Sequence, residues 1–210
     1  MAQLFQVHPE HPQPRLVKKA AEIAKSGGLL AMPTDAAYSL AGVAGYAPLL
    51  ERIRRIRDVD ERHHFTLMCR DLSEIATYAR VDNSQYRLLK AITPGAYTLI
   101  LQGSKELPRR VLHPKRKTIG LRVPSHPFVL ALLEELNEPL LTSTLILPGD
   151  EFPLNDAELI RQRLEKQLDL VIDAGPCGTE MTTVVNLAEG EPILLRAGKG
   201  ELAPLGLSST

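Results

Sequence analysis

Leu29-Leu30-Ala31-Met32-Pro33-Thr34-Asp35 is the stretch on which the fold turns. The four apolar residues form a short run, introduced by Gly27-Gly28 and stopped by Pro33, which cannot continue the hydrogen-bond ladder of a central strand. They read as a buried strand whose end turns Thr34 and Asp35 outward. Upstream, Leu16, Ala20, Ile23 and Ala24 fall at helical spacing, so the order here is helix, glycine turn, strand. Downstream, Tyr38, Leu40 and Gly42 follow, and Pro48 opens a helix whose buried face carries Leu49, Ile53 and Ile56.

The same reading continues along the chain. Tyr97 to Leu101, Ile119 to Val123, Leu140 to Ser143 and Leu168 to Ile172 have the composition of strands. A helix follows Pro127, and Asn155 with Glu158 has capping-box spacing for another running through Arg161 and Leu164. Thr182 to Leu187 and Ile193 to Arg196 pair across the turn Glu189-Gly190-Glu191-Pro192. Helices intervene often but not always, which predicts an α/β fold with an open mixed sheet flanked by helices. No low-complexity linker divides the chain, so residues 1–200 read as one domain and 201–210 as a loosely docked tail.

Composition narrows the function. The 210 residues are 44% hydrophobic and carry 25 basic and 25 acidic side chains, the balance of a globular domain with a sizeable core. No apolar run reaches the ~20 residues of a membrane helix and the N-terminus has no signal-like pattern, so a cytoplasmic protein without a membrane partner is expected. Cys69 and Cys177 stand alone, and the adjacent His63-His64 diverge on a helix or strand, so no protein-bound metal site is expected. The charges are uneven: Lys105, Arg109, Arg110, Lys115, Arg116, Lys117 and Arg122 face only Glu106 between positions 105 and 122. Such a run attracts phosphates, as does Arg52-Ile53-Arg54-Arg55-Ile56-Arg57.

Phosphate-loop, nucleophile-elbow and zinc-helix signatures are missing from the sequence. Small polar motifs at strand ends remain, where open sheets place their ligands. In a continuous helix Arg55 and Arg57 stand about 200° apart. The apolar pattern is lost after Arg57, so the helix is expected to end near Arg55 and both guanidiniums to emerge on one side as an anion clamp. Arg122, Ser143, Thr182, Thr183 and Arg196 interrupt or border apolar strands, a pattern that suits a pocket lining.

At these residues the chain resembles the YrdC/YciO family, whose better-known members are threonylcarbamoyl-adenylate synthases of tRNA modification. The resemblance rests on Pro33-Thr34-Asp35 with Tyr38, Arg55 with Arg57, Thr93-Pro94-Gly95 with Tyr97 to Leu101, Gly120 to Pro124, Pro139 to Ser143, Thr182 to Val185, and Leu195 to Gly198. The span from Arg57-Asp58 to Cys69-Arg70, with Phe65-Thr66-Leu67-Met68, looks closest to the YciO branch. The resemblance implies a twisted sheet with a large concave basic face. It also implies a nucleotidyltransferase that takes ATP, with Mg²⁺ on its phosphates, L-threonine and bicarbonate.

By position, Arg55 and Arg57 would be catalytic, while Thr34, Tyr38, Arg122, Ser143, Thr182 and Arg196 would bind substrate and nucleotide. The family's Lys-x-Arg is here Arg55-Ile56-Arg57, its Ser-Ala-Asn is Ser143-Thr144-Leu145, its Trp-Pro-Gly is Thr93-Pro94-Gly95, and its Ser-Thr-Val-Val-Asp is Thr182-Thr183-Val184-Val185-Asn186. The alternative is a module for double-stranded RNA, tRNA or rRNA with weak or no synthase activity, its contacts made by Arg109, Arg110, Lys115, Arg116 and Lys117.

Overall fold

The computed structural model describes residues 1–207. Ten strands form one sheet: β1 (Gln3–Gln6), β2 (Leu30–Met32), β3 (Ser39–Val43), β4 (Thr66–Met68), β5 (Tyr97–Gln102), β6 (Thr118–Arg122), β7 (Leu140–Thr144), β8 (Leu170–Asp173), β9 (Thr183–Asn186) and β10 (Ile193–Arg196). Their order is β1-β8-β2-β3-β7-β4-β6-β5-β9-β10, with β1 and β10 at open edges. Parallel pairs (β1 with β8, β2 with β8, β4 with β6, β5 with β9) are interspersed with antiparallel ones, so the sheet is mixed as expected.

Among the described residues six α-helices accompany it: α1 (Pro14–Lys25), α2 (Pro48–Arg57), α3 (Leu72–Tyr78), α4 (Asn83–Ile92), α5 (Pro127–Leu136) and α6 (Ala157–Leu164). Pro14, Pro48 and Pro127 stand at the helix starts, where a missing N–H costs nothing. The cap of α6 is Asp156, whose carboxylate accepts from the Leu159 N–H at 2.7 Å, one residue beyond the expected Asn155.

The opening stretch shows how the layers are built. Leu29 and Ala31 belong to one buried cluster and Leu30 and Met32 to the other, because successive side chains of a strand point to opposite faces. A continuous apolar run is therefore what a strand covered on both faces requires. Helices α1 and α5 supply the second cluster, which takes in residues of β1, β2, β3, β4, β7 and β8 but none of β5, β6, β9 or β10. The sheet face beyond their reach is left bare, and the site lies there.

One expectation changes. Residues 203–205, read as tail, form a short 3-10 turn in which Leu205 is buried with the core; positions 208–210 of that tail lie outside the described residues. Strands β1, β3 and β4 and helices α3 and α4 were not singled out by pattern. Among the described residues no helix is long and apolar enough to cross a membrane.

Candidate functional site

The floor of the site follows from strand parity. Tyr97, Leu99 and Leu101 of β5 enter the core, which turns Thr98 and Ile100 to the bare face; Leu67 does the same for Thr66, and Val185 for Val184. Gly120 of β6 keeps this floor shallow. A Cβ there would lie 3.0 Å from Thr66 Oγ1 and 3.1 Å from Thr98 Cγ2, so any side chain would rise into the cavity. The cavity above measures about 470 Å³, within the roughly 300–1,000 Å³ of small-molecule sites.

Its polar walls come from several segments. Arg57, the last residue of α2, donates through Nη1 to Ser143 Oγ and to the Thr144 carbonyl, both at 2.6 Å. His63 places Nε2 3.0 Å from the same Ser143 hydroxyl. Opposite, Arg196 donates from Nε to the Thr182 carbonyl at 3.0 Å and from Nη2 to Thr182 Oγ1 at 3.2 Å. Thr182 and Thr98 share a 2.8 Å hydrogen bond. His64 and the exposed Arg116 complete the rim, with the His64 ring 4.8 Å from that of His113.

The electrostatics are one-sided. Three guanidiniums line the cavity, and none of the described lining residues is acidic. Burial lowers the Arg57 pKa, and the charge of Arg196 lowers it further; Arg196 is lowered by burial too. His63 is pushed down to about 4, by burial first and then by the charge of Arg57. His64 is lowered by burial, by His113 and by Arg116. For the two arginines the shift means that positive charge is held at a cost, which an anion in the cavity would offset, while for the two histidines it favours the neutral ring. Among the described residues no group of three or more His, Cys, Asp or Glu is placed to hold a metal.

The residues singled out from the sequence divide into two groups. Arg57, Ser143, Thr182 and Arg196 meet around the cavity, with Arg116 at its rim. Arg55 does not: α2 continues to Arg57 and stops at Asp58, whose φ of 49° is left-handed, so Arg55 faces solvent on the other side of the helix. Helical geometry thus separates the expected pair of arginines.

Tyr38 is 1% exposed, and its hydroxyl donates to the Ile172 carbonyl at 2.9 Å within the core. Thr34 spends its hydroxyl on its own turn, donating to the Ala37 carbonyl and accepting from the Ala36 N–H. Arg122 is buried in an ion pair with Asp35 and lines only a small pocket of about 30 Å³ beside the main cavity. Tyr38 and Thr34 line neither cavity. Of the basic run, Arg109, Arg110, Lys115, Arg116 and Lys117 are all exposed, and Arg110 donates to the Gly45 carbonyl at 2.8 Å.

Sequence reading missed His63, dismissed as half of a poor metal pair, and also Thr66 and Thr98. The two threonines did carry a signal, a single hydroxyl inside an apolar strand.

Comparison with known proteins adds kinship. Residues 22–198 match the Sua5/YciO/YrdC family profile, described as "Telomere recombination". The uncharacterized protein YciO of Escherichia coli is 52% identical over 204 residues, covering 97% of this chain and 99% of that protein. Its crystal structure superposes with a TM-score of 0.94 over 98% of this chain and all of that one, at 51% identity. Human threonylcarbamoyl-AMP synthase is 32% identical over 154 residues, 73% of this chain and 54% of that protein, so the match spans about half its length. Pyrococcus abyssi Sua5 complexed with L-threonine shares the fold, with a TM-score of 0.85 at 24% identity over 93% of this chain and 57% of that one.

Proposed function

Because the chain belongs to the Sua5/YciO/YrdC family, we propose that its arginine-lined cavity binds MgATP, L-threonine and bicarbonate and forms threonylcarbamoyl-adenylate for tRNA modification. One observation carries the reading: Arg57, Arg116 and Arg196 converge on a cavity with hydroxyl donors and no carboxylate among its described lining residues.

The chemistry suits such a lining. The threonine amine attacks the bicarbonate carbon and a C–O bond breaks, leaving a carbamate. A carbamate oxygen then attacks the α-phosphorus of ATP, and pyrophosphate leaves as the bond to the β-phosphate oxygen breaks. Negative charge accumulates in both steps, and no protein nucleophile is needed. Preorganised guanidiniums and hydroxyls hold the reactants together and stabilise that charge. Ile100, Val184 and Leu195 give the cavity an apolar side for the rest of the nucleotide.

Leu145, where the family has Asn, is fully buried in the core here and offers the cavity no amide. The test is pyrophosphate release with MgATP, threonine and bicarbonate, with each omitted in turn. Release that requires all three is expected. No release above background at millimolar substrate would reject the reading.

A second reading is favoured by the exposure of Arg109, Arg110, Lys115, Arg116 and Lys117, of which Arg116 lines the cavity. This segment would dock the backbone of a structured RNA, the tRNA that receives the product or another duplex. Binding of that kind weakens steeply with salt. An RNA whose mobility is unchanged by the protein at low salt would exclude it.

A further inference from the structure

The reaction proposed above leaves a proton to be placed. When a threonine ammonium condenses with bicarbonate, the nitrogen loses two protons. One leaves with the bicarbonate hydroxyl as water; the other needs an acceptor. Arginine side chains keep their protons in proteins, so Arg57, Arg116 and Arg196 cannot serve. Among the described lining residues only His63 and His64 can.

The two histidines are not equivalent. His64 lies at the rim against His113. His63 lies inside, its ring edge-on to Phe65 with centroids 5.3 Å apart, and Nε2 3.0 Å from Ser143 Oγ. That hydroxyl already accepts from Arg57, and a guanidinium has donors only. The Ser143 hydrogen is thereby free to point at Nε2, or at a ligand if Nε2 becomes a donor. Ser143 thus joins a permanent donor to a group that can exchange roles.

We infer that His63, acting through the Ser143 hydroxyl, accepts the proton released as the amine condenses with bicarbonate. The inference rests on the proposed function and makes His63 a positioning residue that relays a proton, Ser143 being its link to the substrate. Burial first, and then the charged groups around it, set the basicity of His63. Arg57 and Arg54 from α2 and His64 beside it favour the neutral ring, and only Asp60 opposes them. A triphosphate seated against Arg57 adds negative charge and raises the proton affinity of His63 from its low starting value of about 4.

Pyrophosphate release with MgATP, threonine and bicarbonate between pH 5.5 and 8.5 tests this in the wild type, His63→Gln, Ser143→Ala and the double variant. Glutamine can bond to Ser143 but takes no proton. The wild-type rate should rise with pH through one ionisation to a plateau. His63→Gln should lose that limb and about 100-fold in kcat, with KM for ATP within about threefold of wild type because ground-state binding is retained. The double variant should fall no further than the weaker single variant, since both act on one relay. An active wild type whose His63→Gln variant keeps both rate and pH limb overturns the inference alone. A wild type that makes no product overturns the functional reading and this inference with it. Should His63→Gln fail to fold, the imidazole proton resonance of His63 in the wild type decides: saturating MgATP must raise its titration midpoint, and an unmoved midpoint refutes the relay.

Discussion

Asp35→Asn is the perturbation whose consequence is most sharply defined by the fold. Asp35 follows β2 and Arg122 ends β6, and the sheet order puts β3, β7 and β4 between those strands. Their side chains nevertheless meet, 11% and 4% exposed, with Ser125 Oγ donating to the second carboxylate oxygen at 3.2 Å. Burial lowers the Arg122 pKa while Asp35 raises it, and Arg122 Nε has no partner among the described residues.

Asparagine keeps the shape but leaves a buried guanidinium uncompensated, a change that costs about 3–5 kcal/mol when one partner of a buried pair is removed. Against a total stability of about 5–15 kcal/mol this is a large fraction. Arg122→Met in the same chain removes the stranded charge, so the double variant should be more stable than Asp35→Asn alone. Urea denaturation of the four proteins closes the cycle. A loss below about 1 kcal/mol for Asp35→Asn, on the ordinary scale of a hydrogen bond, or additive losses in the double variant, would refute the claim that these residues neutralise each other and leave ligand binding to others.

Three further outcomes are expected. Tyr38→Phe should cost about 1–2 kcal/mol by leaving the Ile172 carbonyl without its donor, and calorimetry should find ATP affinity unchanged. Gly198→Ala would set a Cβ 2.3 Å from the Met181 carbonyl and 2.6 Å from that of Thr182. The displaced strand start should cost about 1–3 kcal/mol in thermal or urea melts and weaken ATP binding, since both residues line the cavity.

The third concerns acid. With His63 held at about 4 against about 6.5 in the unfolded chain, its neutral form stabilises the fold above pH 6.5, and that contribution is lost as pH falls from there toward 4. The difference corresponds to about 1–3 kcal/mol after allowance for solvent screening. His63→Gln should therefore flatten the fall of the urea midpoint between pH 7 and 4.5.

Much of the fold was legible because its signals are local. Gly27-Gly28, Pro33, Pro48 and Pro127 punctuate the chain, and runs such as Leu29 to Met32 have a length and composition that suit only a strand buried on both faces. The short strands β1 and β4, three or four residues each, are specified by their neighbours in the sheet more than by their own pattern. The site was half legible. Arg57, Ser143, Thr182 and Arg196, which meet around the cavity, stand at or beside strand or helix ends.

Arg55 was misplaced because the apolar pattern does not report a left-handed stop at Asp58, two residues later than expected. Tyr38 and Thr34 were placed in the cleft because a polar group near a strand end looks the same whether it meets a ligand or closes its own turn. His63 was overlooked because its partner Ser143 is 80 residues away in sequence, and a contact of that range leaves no trace in local spacing.

The central claim, that the anion site is the acid-free cavity at the end of α2, is tested most directly by ATP affinity measured calorimetrically for Arg57→Ala and Arg55→Ala in parallel. Both variants remove one positive charge from the same helix, so a general electrostatic effect would weaken them equally. The account predicts that Arg57→Ala loses about tenfold or more, the equivalent of one charge-assisted hydrogen bond, while Arg55→Ala stays within about twofold as an exposed surface charge. Equal losses, or a larger loss at Arg55, would contradict it.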